Sequence, residues 1–177
     1  MKKTIDIILI ILLFLIIYFL QTNLFTWFNI GGIMPNLFVV FIMMIGLFLK
    51  GDFGFLFGAL FGLLLDFFAG TRIGTNAIAL AIVGLASGIL EKNFSKDNRM
   101  TVMIMTSILT AVFELFVYLQ KIIFGGMISI FFLEFIKILL IEILYNDILI
   151  IIFYPLFSSI GTKLEEDFTN KSFLKFL

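Results

Sequence analysis

Between Gly54 and Asp66 the chain reads G-F-L-F-G-A-L-F-G-L-L-L-D: three glycines four residues apart, then one carboxylate four residues further on, all in an apolar run. On a helix these four positions share one face. Asp66 is flanked by Leu63, Leu64, Leu65, Phe67 and Phe68, which no ordinary soluble core accommodates around an acid. Small residues at this spacing let a second helix backbone approach closely in lipid, and an acid at membrane depth has a partner or a task. The run therefore predicts an integral membrane protein with one closely packed helix face.

Composition points to the same class. Hydrophobic residues make up 62% of the 177 positions and charged residues 14%, and the mean hydropathy is +1.22, which is outside the range of soluble domains. Twelve basic and twelve acidic residues cancel, which argues against a nucleic-acid partner. With no cysteine and no histidine, thiol catalysis, disulfides and His-based metal sites are excluded, and no cofactor is expected.

Hydropathy divides the chain into six spans, at roughly 5–21, 33–49, 53–70, 74–90, 100–119 and 136–158, each near the ~20 residues that cross the hydrocarbon. The expected fold is an all-α six-helix membrane bundle, a single multi-pass domain over residues 1–177. Pro35 is placed in the first turn of the second span and Pro155 near the end of the sixth, where each is tolerated. Met1-Lys2-Lys3 precedes the first apolar run, and no small-residue cleavage site follows before Gln21, Thr22 and Asn23, so this run reads as an uncleaved helix.

The basic residues set the orientation. With the N-terminus inside, the inner segments carry Lys2, Lys3, Lys50, Lys92, Lys96, Arg99, Lys163, Lys171 and Lys175, and the outer ones carry Arg72, Lys121 and Lys137. Nine against three is a strong positive-inside bias with both termini inside. Residues 120–135 are apolar enough to lie on the outer surface or to re-enter the membrane before the last span.

In this topology Asp66, Glu114 and Glu142 all fall in the outer half of the membrane, with Asn146 one helical turn beyond Glu142. With Arg72 they predict an outer polar cluster above an apolar inner half. Asp66 has two structural uses, a salt bridge to Arg72 or capping of the next helix near Gly74 and Thr75, beside a partner or ligand contact. The glycine stripe serves internal packing, a homodimer or a partner's helix. Glu114 and Glu142 could carry protons or cations, but no repeated pattern or relay accompanies them. Catalysis lacks a nucleophile and converging acid and base, and no phosphate loop or dinucleotide fingerprint occurs.

The Lys-Lys start, the second span opened by Pro35-Asn36-Leu37, and the run G-D-F-G-F-L-F-G-A-L-F-G-L-L-L-D-F-F-A-G-T-R-I-G-T-N-A from Gly51 to Ala77 resemble the rod shape-determining membrane protein MreD family. The resemblance covers nearly the whole chain in length and span order. It implies a non-enzymatic component of the bacterial cytoplasmic membrane that acts in cell elongation. The implied partners are the single-span protein MreC, the actin-like MreB filament, and the glycosyltransferase and transpeptidase of wall synthesis, with membrane lipid around it. The implied fold is similar to the substrate-binding subunits of energy-coupling-factor transporters. The resemblance carries no catalytic residue; it marks Pro35, Gly58, Gly62, Asp66, Gly70 and Gly74 as important, with Gly54 completing the stripe. A bitopic partner's helix docking on the stripe, held in register by Asp66, is the mechanism expected from these parts. The competing class is a substrate-binding subunit of a vitamin or metal uptake transporter. Such subunits meet their transmembrane partner through an alanine-rich first helix, whereas the first alanine here is Ala59.

Overall fold

The computed structural model describes residues 2–68, 72–125 and 131–169. Six helices follow one another: α1 (Lys2–Phe19), α2 (Leu37–Leu49), α3 (Gly51–Phe68), α4 (Thr75–Glu91), α5 (Arg99–Gly125) and α6 (Phe131–Thr169). Helix α1 widens into a π-helical turn over Leu20–Leu24. Among the described residues three helical stretches, Ile5–Leu24, Gly51–Phe68 and Arg99–Phe124, are long and apolar enough to cross a membrane, and α2 and α4 are shorter apolar helices.

Helix α2 is the axis of the molecule. Its 13 residues are apolar on every side and all of them are buried, as expected of a helix surrounded by others. It packs against α3, α4 and α6, with smaller contacts to α5 and α1. The periphery is apolar as well: Ile8, Leu12 and Leu15 on α1 and Leu60, Leu63 and Leu64 on α3 are exposed. An apolar exterior around an apolar core is the arrangement of a protein solvated by lipid.

A helix of 13 residues is only about 20 Å long, and the chain before it is irregular. Ile30 and Ile33 exchange backbone hydrogen bonds of 3.0 and 3.1 Å around Gly31 and Gly32. Both glycines have positive φ, 61° and 83°, the conformation such a two-residue turn requires. Pro35 does not open the helix, as the sequence suggested. It lies before Asn36, the N-cap, whose side chain accepts from Val39 N at 3.2 Å. The asparagine oxygen satisfies a first-turn N–H, so the helix starts after it.

At the opposite end α2 turns into α3 through one residue, Lys50 (φ 76°, ψ 156°). The α4–α5 connection meets the far part of α6 at this end. Lys96 Nζ lies 2.7 Å from Glu165 and 3.5 Å from Glu91, and Tyr154 donates to Lys96 O at 2.7 Å. Helix α6 runs through Pro155 for 14 further residues, so the proline lies inside the helix and not near its end. A proline forfeits one helical hydrogen bond. The segment beyond it is held by the Lys96–Glu165 pair and by the Phe48 ring stacked on Gly161. The flanks of the stretch 120–135 prolong α5 to Gly125 and start α6 at Phe131. Neither flank is a separate surface-lying piece, and residues 126–130 lie outside the described residues.

Candidate functional site

The glycines of α3 face α4. A Cβ placed on Gly54 would stand 2.5 Å from Gly84 O, one on Gly58 2.7 Å from Leu80 C, and one on Gly62 2.5 Å from Asn76 O. Real side-chain carbons do not come so close to backbone, so each glycine is required by the helix already against it. Gly84 and Gly88 on α4 are opposed in the same way by Gly54 and Gly51. The stripe thus has a counter-stripe, and α3 and α4 form the most extensive helix pair in the fold. Of the uses the sequence leaves open for the stripe, the packing seen here is internal, with α4 lying against it. Gly70 lies outside the described residues.

Asp66 ends the same face and does for α4 what Asn36 does for α2. It is 1% exposed. Its Oδ2 accepts from Gly74 N at 2.8 Å and Ala77 N at 3.3 Å; its Oδ1 accepts from Asn76 N at 3.0 Å and Asn76 Nδ2 at 2.9 Å. The backbone donors left open at the start of a helix are thereby satisfied by an anion at the positive end of the helix dipole. Gly74 is the N-cap with φ 101°. Of the alternatives the sequence leaves for Asp66, the structure has the cap. Arg72 is exposed and turned to α5, where its Nη2 donates to Phe124 O at 3.4 Å and its guanidinium lies 5.0 Å from the Phe124 ring. It does not join the polar cluster expected around Asp66.

Glu114, Glu142 and Asn146 do come together, between α5 and α6 and against the start of α2. Asn146 is fully buried. Its Oδ1 accepts from Asn36 N at 2.9 Å and its Nδ2 donates to Thr110 at 2.9 Å, so one amide joins α2, α5 and α6. Gln21, beyond α1, completes the same helix start: it donates to Pro35 O at 2.8 Å and accepts from Leu37 N at 3.0 Å. One turn before Asn146, Glu142 stands beside Glu114 and Asn36. Both acids are buried, Glu142 at 4% exposure. Glu142 Oε1 has no hydrogen-bond partner among the described residues.

Of these groups Gln21, Asn36 and Glu142 line a cavity of about 450 Å³, together with Tyr18, Phe38, Asn76, Phe113 and others. Among the described residues no group of three or more Asp, Glu, His or Cys side chains could hold a metal ion. Gln21 and Asn146 close backbone hydrogen bonds at the start of α2, beside a mainly apolar pocket. Gln21, Asn76 and Thr110 were not singled out by the sequence. The Pro-Asn-Leu start of α2 was the one local signal available, since Asn is a preferred N-cap. Asp147, next to Asn146, faces elsewhere and accepts from Ser107 at 2.9 Å.

Compared with known proteins, the chain matches one family model, that of rod shape-determining protein MreD, over residues 1–161. No curated protein matches it, and no solved structure does.

Proposed function

The chain belongs to the rod shape-determining protein MreD family, and from that premise we propose that it is a non-catalytic membrane scaffold of the bacterial cell-elongation machinery. Membership itself assigns it to rod shape determination and to the membrane. The finer reading is a single six-span domain in the cytoplasmic membrane, both termini inside, that couples an MreC-like bitopic protein and wall-synthesis enzymes outside to MreB-like filaments inside. The six-helix order and the positive-inside bias of Lys50, Lys96 and Arg99 support that topology. The fold proposed is the one shared with substrate-binding subunits of energy-coupling-factor transporters, here used as a scaffold.

The observation that carries the proposal is the family match over nearly the whole chain. Since α4 occupies the glycine stripe, the partner surface is assigned to other faces. A transporter subunit remains the second reading because of the outer cavity, but α1 presents Ile8, Leu12, Leu15 and Phe19 outward and offers no small-residue docking face. Affinity purification from native membranes in mild detergent, followed by mass spectrometry, separates the two. Co-purification of an MreC-like single-span protein with wall-synthesis enzymes is expected. Recovery of a nucleotide-hydrolysing transport module in their place would overturn the scaffold.

A further inference from the structure

We propose that the outer cavity is a binding site for the ammonium group of a small amphipathic amine, with Glu142, paired with Glu114, as its acidic contact. A volume of about 450 Å³ suits a small organic ligand and is far more than a bare ion needs. Glu142 is the only acid, and no base stands among the lining residues. Among the described residues its Oε1 is buried with no hydrogen bond, a costly state for a carboxyl oxygen unless a donor or counter-charge arrives.

Glu114 and Asn36 hydrogen-bond the Glu142 carboxyl but leave its Oε1 without a partner, and the other polar neighbours are engaged elsewhere. Gln21 is taken up by Pro35 and Leu37, Asn76 by Asp66, and Asn146 by Asn36 and Thr110. Lys121 is exposed, and no ion pair within 4.0 Å joins it to Glu142 among the described residues. Lys137 turns its Nζ to the backbone at Gly31. A metal ion would need further ligating side chains, and no group of three or more is present among the described residues. An ammonium supplies both charge and donors, and the aromatic lining of Tyr18, Phe38 and Phe113 suits a cation carrying an apolar body. That chemistry belongs equally to a free amine outside the cell and to the aminoethyl headgroup of a lipid.

The test uses the full chain purified in neutral detergent and n-hexylammonium chloride as the probe, with n-hexanol as the uncharged control. The thermal unfolding midpoint should rise saturably with the ammonium and not with the alcohol. Glu142→Gln should weaken the apparent affinity by on the order of tenfold or more, and Ile138→Trp, which fills the cavity while keeping the acid, should abolish the shift. Asp147→Asn should titrate like the wild type. Native mass spectrometry after reconstitution in vesicles of phosphatidylethanolamine or phosphatidylcholine then identifies the source. Retention of the former lipid by wild type but not by Glu142→Gln assigns a lipid headgroup; hexylammonium binding without lipid retention assigns a free amine. An equal effect of hexanol, no shift with hexylammonium, or an unchanged response in both cavity variants would overturn the site.

Discussion

Asn146 Oδ1 accepts the backbone N–H of Asn36 at 2.9 Å across 110 residues of sequence. This bond fastens the start of the central helix α2 to α6, and the other end of the same amide reaches Thr110 on α5. Irregular backbone at membrane depth persists only where protein groups satisfy it, and here Asn146 and Gln21 do so.

Asn146→Leu should therefore destabilise the protein by about 2 kcal/mol, since it leaves the Asn36 N–H and the Thr110 hydroxyl without their partner. Thr110→Val alone should cost less. Combined with Asn146→Leu it should add little, because the bond is already gone. Chemical unfolding in detergent of both single variants and the double variant measures this. Strict additivity would show that the two residues act separately.

Asp66→Ala should cost about 3 kcal/mol, because four donors at the start of α4 lose a buried acceptor. Asp66→Asn keeps one acceptor oxygen and should lose roughly half as much. The readout is the unfolding midpoint together with amide exchange at Gly74, Asn76 and Ala77. Unchanged exchange in Asp66→Ala would show that another group caps α4.

Gly58→Leu should abolish the folded protein, because even a Cβ there meets Leu80 backbone and overpacking against backbone cannot relax through a side-chain rotation. Leu60→Ala, on the exposed side of the same helix, should leave folded yield within about twofold of wild type, a surface effect of at most a few tenths of a kcal/mol. Yield of monodisperse protein by size-exclusion chromatography compares the two. A well-folded Gly58→Leu that loses only its partners would return the stripe to a docking role.

Lys50→Gly should stabilise the protein by about 1 kcal/mol. Lys50 holds φ 76° and ψ 156° between α2 and α3, a region that essentially only glycine occupies without strain. A midpoint that falls in this variant would mean that the lysine side chain contributes more than the backbone costs.

The membrane class, the all-helical fold and the order of the helices among the described residues were legible in the sequence because they depend on local quantities: runs of apolar residues and sparse prolines. Helix ends were less so. Pro35 fell outside α2 because Asn36 supplies the cap, and α6 outran both Pro155 and its apolar stretch because Lys96 and Phe48 hold its far end. The site was half legible. That Asp66, Glu114, Glu142 and Asn146 are buried follows from their apolar surroundings, but Arg72 turned to Phe124 where the sequence placed it with the acids.

What the sequence by itself determined is that this chain enters a membrane and carries a close-packing glycine face, since hydrophobicity and side-chain size are properties of the residues themselves. Only the tertiary structure decided that α4 fills that face, that Asp66 is spent on a helix cap, and that Glu142 is left with an oxygen unbonded beside a cavity. Those outcomes depend on which helix lies against which, and contacts between residues far apart in the chain have no signature in any local stretch of it.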